Sequence, residues 1–117
     1  MATPLNTFKT VSVSLTSTDQ IIYTTPAGIT SIILMAQVAN VDASNNAEVT
    51  FGVTGTDSVY TELVKNFVIP PKDAAPVLTG KLVVEESCTL HAQASANNRL
   101  KITLSVLESL NAWYSTS

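Results

Sequence analysis

Alternation of apolar and polar residues runs through much of the sequence and limits the fold more than any other feature. In residues 99–108 (RLKITLSVLE), every second residue from Leu100 to Val106 is apolar and the residues between them are polar. Residues 10–15 and 47–54 alternate in the same way. Successive side chains on a β-strand point to opposite faces of the sheet, so this period predicts strands with one buried and one solvent-exposed face.

Turn residues separate the alternating segments at intervals typical of an all-β protein. The predicted strands cover residues 10–15, 20–24, 29–40, 47–54, 59–69, 77–84, 88–96 and 99–108. About eight short strands without long helical periods favour a β-sandwich over a fold of alternating strands and helices. We therefore predict an all-β fold, a single-domain antiparallel β-sandwich of jelly-roll type. One domain covers residues 1–117, with flexible or partner-docking ends at 1–7 and 109–117.

Two segments allow more detailed predictions. Residues 29–40 contain a run that is apolar on both faces, IILMA, which indicates a central strand or a strand whose outer face contacts a partner. Residues 88–108 are predicted to form a β-hairpin closed at Asn97-Asn98, because asparagine tolerates the positive φ of tight connections.

Charge and hydropathy exclude several classes of partner. Only 13% of the residues are charged, the net charge is −3 and the sequence pI is about 4.8. A nucleic-acid-binding domain normally carries a basic patch, whereas the six Lys and Arg residues here are scattered. The sequence has neither a signal-peptide pattern nor an apolar run long enough to span a bilayer. We expect synthesis in a cytoplasm and no nucleic-acid or membrane partner.

Residues suited to catalysis or metal binding are scarce. His91 and Cys88 are the sole histidine and cysteine, and they lie on opposite strand faces by parity. A zinc site needs three or four such ligands, and a nucleophilic cysteine needs a base on its own side. Phosphate-binding, hydrolase and metalloprotease motifs are absent. We predict no catalytic residues, no metal site and no cofactor, with a structural or surface role for His91 and a buried position for Cys88.

The chain ends carry the residues predicted to contact a partner. Pro4, Leu5 and Phe8 form an apolar N-terminal arm, and Trp113 and Tyr114 are adjacent near the C-terminus. Aromatic residues anchor many protein interfaces, and they also form carbohydrate-binding platforms. The low aromatic content, 6%, favours the anchor over the platform.

The order of several segments resembles that of a known family. These are residues 22–24 (IYT) with Pro26 before residues 32–34, then 63–71 (LVKNFVIPP), 78–85 (LTGKLVVE), and 94–97 (ASAN) followed by 104–108 (LSVLE). Together they resemble small virion structural proteins of tailed phages, particularly those of cyanobacterial and other marine hosts. The resemblance covers residues 8–108 and supplies no active-site residues.

The resemblance implies a β-sandwich that forms a homo-oligomer, often a trimer, within a virion. The function it favours is that of a capsid decoration (cement) protein that bridges major capsid protein subunits. A tail, neck or fibre-associated structural protein, or a receptor- or glycan-binding module, is the alternative. An enzyme remains the third hypothesis and is the least supported by the residues present.

Overall fold

The computed structural model describes residues 6–111, which form β-strands and connecting loops. The strands are β1 (Asn6–Ser14), β2 (Gln20–Thr24), β3 (Ile29–Asn40), β4 (Ala47–Thr54), β5 (Tyr60–Ile69), β6 (Ala74–Pro76), β7 (Leu82–Val84), β8 (Thr89–Ala94) and β9 (Leu100–Leu110). Across residues 6–111, the structure contains no helix with the length and hydropathy required of a membrane span.

The strands form two antiparallel sheets that pack face to face. Sheet A has the order β1-β9-β3, and the short strands β6 and β7 both pair with the free side of β3. Sheet B has the order β2-β8-β4-β5. When β6 and β7 are counted as one interrupted edge strand, the eight strands follow the order of a jelly roll. The prediction of an all-β, single-domain sandwich of this type is confirmed.

The predicted bounds of the third strand, residues 29–40, are those of β3. This strand lies between β9 on one side and β6 and β7 on the other, so it is central in sheet A. The predicted strand at 77–84 is wrong in its first half. The chain pairs with β3 at β6 and again at β7, and after the backbone hydrogen bond from Val77 to Ala36, residues 78–81 leave the sheet, with Gly80 at a φ of 84°.

The predicted hairpin over residues 88–108 is also wrong. β8 pairs with β2 and β4 in sheet B, whereas β9 pairs with β1 and β3 in sheet A. The connection therefore crosses from one layer to the other. Asn98 does adopt a positive φ of 64°, as a tight connection requires. Two alternating strands with a short linker fit a hairpin within one sheet and a crossing between two sheets equally well, because in each case one face of each strand is buried.

Strand pairing extends into both segments that were predicted to lie outside the sandwich. β1 begins at Asn6, which is paired with Ser109, and β9 ends at Leu110. Residues 1–5 and 112–117 lie outside the described residues. The two ends of the described chain thus lie side by side at one end of sheet A.

The inner faces of the two sheets form one hydrophobic core. Its largest fully buried side chains are Phe51, Leu15, Ile33, Ile69, Leu90, Leu100, Ile102, Leu104, Val38, Val49, Val84 and Val106. Most of these residues occupy alternate positions of their strands, as the sequence period predicts. The core leaves the opposite face of each sheet available to solvent or to partners.

A buried polar cluster connects the two sheets near the chain ends. The Tyr23 hydroxyl, on β2, donates to Glu108 Oε2 on β9 and lies 2.6 Å from Ser31 Oγ on β3. Lys9 Nζ, on β1, lies 3.3 Å from Glu108 Oε1. Burial, followed by the hydrogen bond with Glu108, raises the pKa of Tyr23 to about 12. The buried carboxylate is therefore satisfied by one hydroxyl and one ammonium group.

Candidate assembly surfaces

Four apolar side chains stand side by side across the outer face of sheet A. Phe8 on β1 is paired with Leu107 on β9, Leu107 with Ile32 on β3, and Ile32 with Val83 on β7. Their strand neighbours Val84 and Val106 point into the core. Phe8 is 73% exposed and Val83 is 58% exposed. We call this set Phe8, Leu107, Ile32 and Val83 the apolar row.

The rest of this face is polar but almost uncharged. Met35 extends the apolar row along β3. The remaining outward positions of β1, β3 and β9 in the described chain are Asn6, Thr10, Ser12, Ser14, Thr30, Gln37, Ala39, Lys101, Thr103, Ser105 and Ser109. Lys101 carries the one charge in that set, and it lies at the end of β9 distant from Leu107. The face thus combines an apolar centre with hydroxyl and amide groups.

The sequence contained a signal for this face at β3. The apolar run within residues 29–40 indicated either a central strand or an outer face that contacts a partner, and Ile32 and Met35 point outward from a central strand. A bulge between Ile33 and Met35 shifts the register, so both Ile33 and Ala36 face the core. Leu107 and Val83 join Ile32 only through pairing between distant segments, which the alternation alone does not reveal.

The predicted partner-binding residues have different outcomes in the structure. Phe8 lies in β1 and belongs to the apolar row, so it is part of the sheet and not of a free arm. Pro4, Leu5, Trp113 and Tyr114 lie outside the described residues. The structure therefore links Phe8 with residues of β3, β7 and β9 that were not among the predicted partner-binding residues.

A second apolar surface is a groove at the edge of the sandwich that contains β5, β6 and β7, on the side away from β1. It lies between β5, the edge strand of sheet B, and the segment that joins β6 to β7. Its volume is about 510 Å³. The lining residues are Leu63, Val64, Phe67, Pro76, Val77, Leu78, Thr79, Lys81 and Leu82. The groove exists because the interrupted edge strand leaves sheet A before it covers the flank of β5.

His91 is the centre of a polar cluster on the outer face of sheet B. Its Nδ1 lies 3.0 Å from Asp19 Oδ2, and its Nε2 lies 2.9 Å from Thr89 Oγ1 and 3.2 Å from Thr54 Oγ1. The ring of Tyr60 packs edge-on against the imidazole at a centroid distance of 5.1 Å. Sequence reasoning found no polarised pair of this kind, because Asp19 and His91 are 72 residues apart.

The His91 cluster contains a carboxylate, an imidazole and hydroxyl groups, as a catalytic triad does, but here these groups connect a loop to a sheet. Because an ionised carboxylate can only accept, the Nδ1 hydrogen points to Asp19, and Nε2 lies within hydrogen-bond distance of two threonine hydroxyls. Both hydroxyls belong to regular strands, and Tyr60 packs against the ring. Asp19 precedes β2, so the contact attaches the β1–β2 connection to sheet B.

Cys88 lies on the inner side of sheet B, away from His91. It is 5% exposed, and its Sγ donates a weak hydrogen bond to the carbonyl of Glu86. Burial raises the pKa of the Cys88 thiol, and the nearby carboxylate of Glu85 adds to the increase. Between residues 6 and 111, no group of three or more His, Cys, Asp or Glu side chains is arranged to bind a metal ion.

The sequence matches no protein-family model and no curated protein. Solved structures do share the fold. A chain of the disulfide-linked pili of Bacillus endospore appendages superposes with a TM-score of 0.53 at 14% identity, over 91% of this chain and 88% of that chain. A chain of the acidic stable capsid of Helicobacter pylori bacteriophage KHP30 gives a TM-score of 0.53 at 13% identity, over 92% and 89%.

A chain of infectious bursal disease virus, strain Gx, is similar over a smaller part of its length. Its TM-score is 0.52 at 8% identity, and the match covers 93% of this chain and 33% of that chain. At these identities the likeness establishes a shared fold. The jelly roll described here therefore has counterparts in the KHP30 capsid, in infectious bursal disease virus and in the pili of Bacillus endospore appendages.

Proposed function

We propose that this chain is a non-enzymatic structural subunit of a tailed-phage virion. The observation that carries the proposal is the apolar row. Four strands of sheet A contribute apolar side chains to an outward surface, as expected of a protein that assembles with others. The His91 cluster, by contrast, attaches a loop to a sheet. The likeness to the KHP30 capsid chain over most of both chains supports an assembly of this class.

A capsid suits this sequence better than a disulfide-linked pilus. A filament whose copies are joined in series by disulfides needs at least two cysteines in each copy. The 117-residue sequence contains one cysteine, Cys88, and its side chain is buried. We therefore expect this chain to assemble through noncovalent contacts, as in the standard interfaces of protein shells.

Within the virion, we propose the role of a capsid decoration or cement protein. Its partners are further copies of itself, as a trimer in the form that the family resemblance implies, and the major capsid protein. A cement protein stabilises a shell by bridging neighbouring subunits at many symmetry-related places. Individually modest contacts are sufficient for that role, because their free energies accumulate over the shell. The ends of the chain, with Pro4, Leu5, Trp113 and Tyr114, supply further candidate contacts.

Quantitative mass spectrometry of purified virions tests the proposal directly. We expect the chain at a fixed ratio to the major capsid protein, and a cryo-EM map should place it on the outer surface of the head. Its absence from purified particles would refute the virion role. Density for the chain on the tail, neck or fibre would keep the structural role and replace decoration by the alternative location.

A further inference from the structure

We propose that the apolar row on sheet A is covered by a further copy of this chain, so that the rows of neighbouring copies face the symmetry axis of a homo-oligomer. The proposal deepens the structural role proposed above and rests on it for the expectation of self-assembly. It assigns the contact to Phe8, Leu107, Ile32 and Val83, none of which is needed for the hydrophobic core.

The arrangement of the row distinguishes it from ordinary surface hydrophobicity. Single exposed apolar residues are common on monomers, whereas contiguous patches mark interfaces. Here the strand register places each member directly beside the next, from the edge strand β1 to the edge strand β7. Its two most exposed members, Phe8 and Val83, stand at its ends. A partner that covers the row must therefore span the full width of the sheet.

The charge distribution favours a copy of the same chain as that partner. Interfaces between identical subunits bring the same surface patch close to itself, so a charge on the patch would be repeated near its own image. On β1, β3 and β9 the outer face of sheet A avoids most of that repulsion, because Lys101 is the one charge there and lies away from the row, while Lys81 and Glu85 flank β7 with opposite charges. A strongly charged partner would find few complementary groups on β1, β3 and β9.

The outer face of sheet A is also large enough to form an interface between two copies. β9 has 11 residues, and at a rise of about 3.3 Å per residue and a strand spacing of about 4.8 Å, four strands cover roughly 600 Å² in projection. Side-chain relief increases the accessible area beyond the projection, and a stable interface buries about 800 Å² per partner. Contact over this one face is therefore enough for a specific oligomer.

Sedimentation equilibrium of the full chain tests the proposal with two matched valine variants. Val83 on the row is 58% exposed, and Val59 in the β4–β5 connection is 57% exposed. We expect Val83→Lys to weaken self-association at least about tenfold, because an unpaired ammonium group would have to be buried in the contact. We expect Val59→Lys to associate like the wild type. Phe8→Ser provides a second row variant, and circular dichroism verifies that each variant is folded.

Each result decides the proposal. A monomeric wild type, or equal association of Val83→Lys and Val59→Lys with Phe8→Ser unchanged, would overturn it. The fluorescence of Trp113, the sole tryptophan, tests whether the C-terminal segment covers the apolar row instead of a further copy. If its fluorescence shifts on Val83→Lys in a monomeric protein, the C-terminal segment covers the row and the proposal fails. An oligomer that depends on Val83 in a protein absent from virions would keep the contact and refute only the virion role.

Discussion

Buried polar residues at the chain-terminal end of the sandwich make stability sensitive to single protonation events. Tyr23 is largely buried, and its hydroxyl connects Ser31 and Glu108 across the two sheets. Burial is the largest cause of the raised pKa of Tyr23, because the ionised phenol would lose its hydration in the core. The hydrogen bond with Glu108 and the negative charge of that carboxylate add to the increase.

The raised pKa of Tyr23 predicts that the protein loses stability at alkaline pH. An unfolded tyrosine loses its proton near pH 10, whereas folded Tyr23 keeps it to about 12. In this window the folded state binds more protons than the unfolded state, so stability is present below pH 10 and decreases as the pH rises toward 12. We expect urea unfolding to show an alkaline decrease of about 2–3 kcal/mol from this residue by pH 12, since one pKa unit corresponds to about 1.4 kcal/mol.

Tyr23→Phe should remove that component of the pH dependence while lowering stability at neutral pH through the lost hydrogen bonds. Tyr60→Phe is the control, because Tyr60 is more exposed and lies on the outer face of sheet B. The Tyr60→Phe variant should retain most of the alkaline decrease in the free energy of unfolding. An unchanged alkaline profile in Tyr23→Phe would contradict the assignment to this phenol.

At the scale of elements, the pairing of β4 with β5 depends on a close approach at Gly52. The register shifts twice between Val49 and Gly52, so that β5 folds tightly over β4. A Cβ at Gly52 would lie 2.5 Å from the carbonyl oxygen of Thr61 and 2.7 Å from the ring of Tyr60. The absent side chain thus allows Tyr60 to pack over β4 and against His91.

Gly52→Ala should therefore destabilise the protein by about 1–3 kcal/mol, the usual cost of overpacking. Gly55→Ala is the matched control, because a Cβ at Gly55 would have Asp57 Oδ1 as its nearest neighbour, at 3.7 Å. Thermal unfolding measures both variants, and the NMR shifts of His91 report on the displaced Tyr60 ring. Equal stability of the two variants would show that β5 adjusts without cost.

At the scale of the whole molecule, the sandwich is held together by its core and by noncovalent contacts. Cys88 is buried, and burial raises the pKa of its thiol, so little reactive thiolate is available. We expect the oligomer to have the same mass with and without reductant, and a thiol reagent to react with Cys88 only after unfolding. A disulfide-linked dimer on a non-reducing gel under native conditions would contradict this prediction.

The alternation of side chains was sufficient to predict the sandwich, because a period of two leaves each strand with one apolar face that must be buried in a second layer. The doubly apolar run also identified β3, and the predicted contact residue Phe8 lies in the apolar row, where its contact with a partner stays a prediction. Local sequence could not distinguish a hairpin from a crossing between sheets at Asn97-Asn98, since both bury the same face of β8 and β9.

Tertiary structure alone decided which distant residues became neighbours. The apolar row requires the register of β1, β9, β3 and β7, and the His91–Asp19 contact joins residues from separate segments on sheet B. Alternation specifies the face on which a side chain lies but not the partner strand or its register. The sequence by itself therefore determined the layers of this protein, and only the pairing of strands across the sheets decided its surfaces.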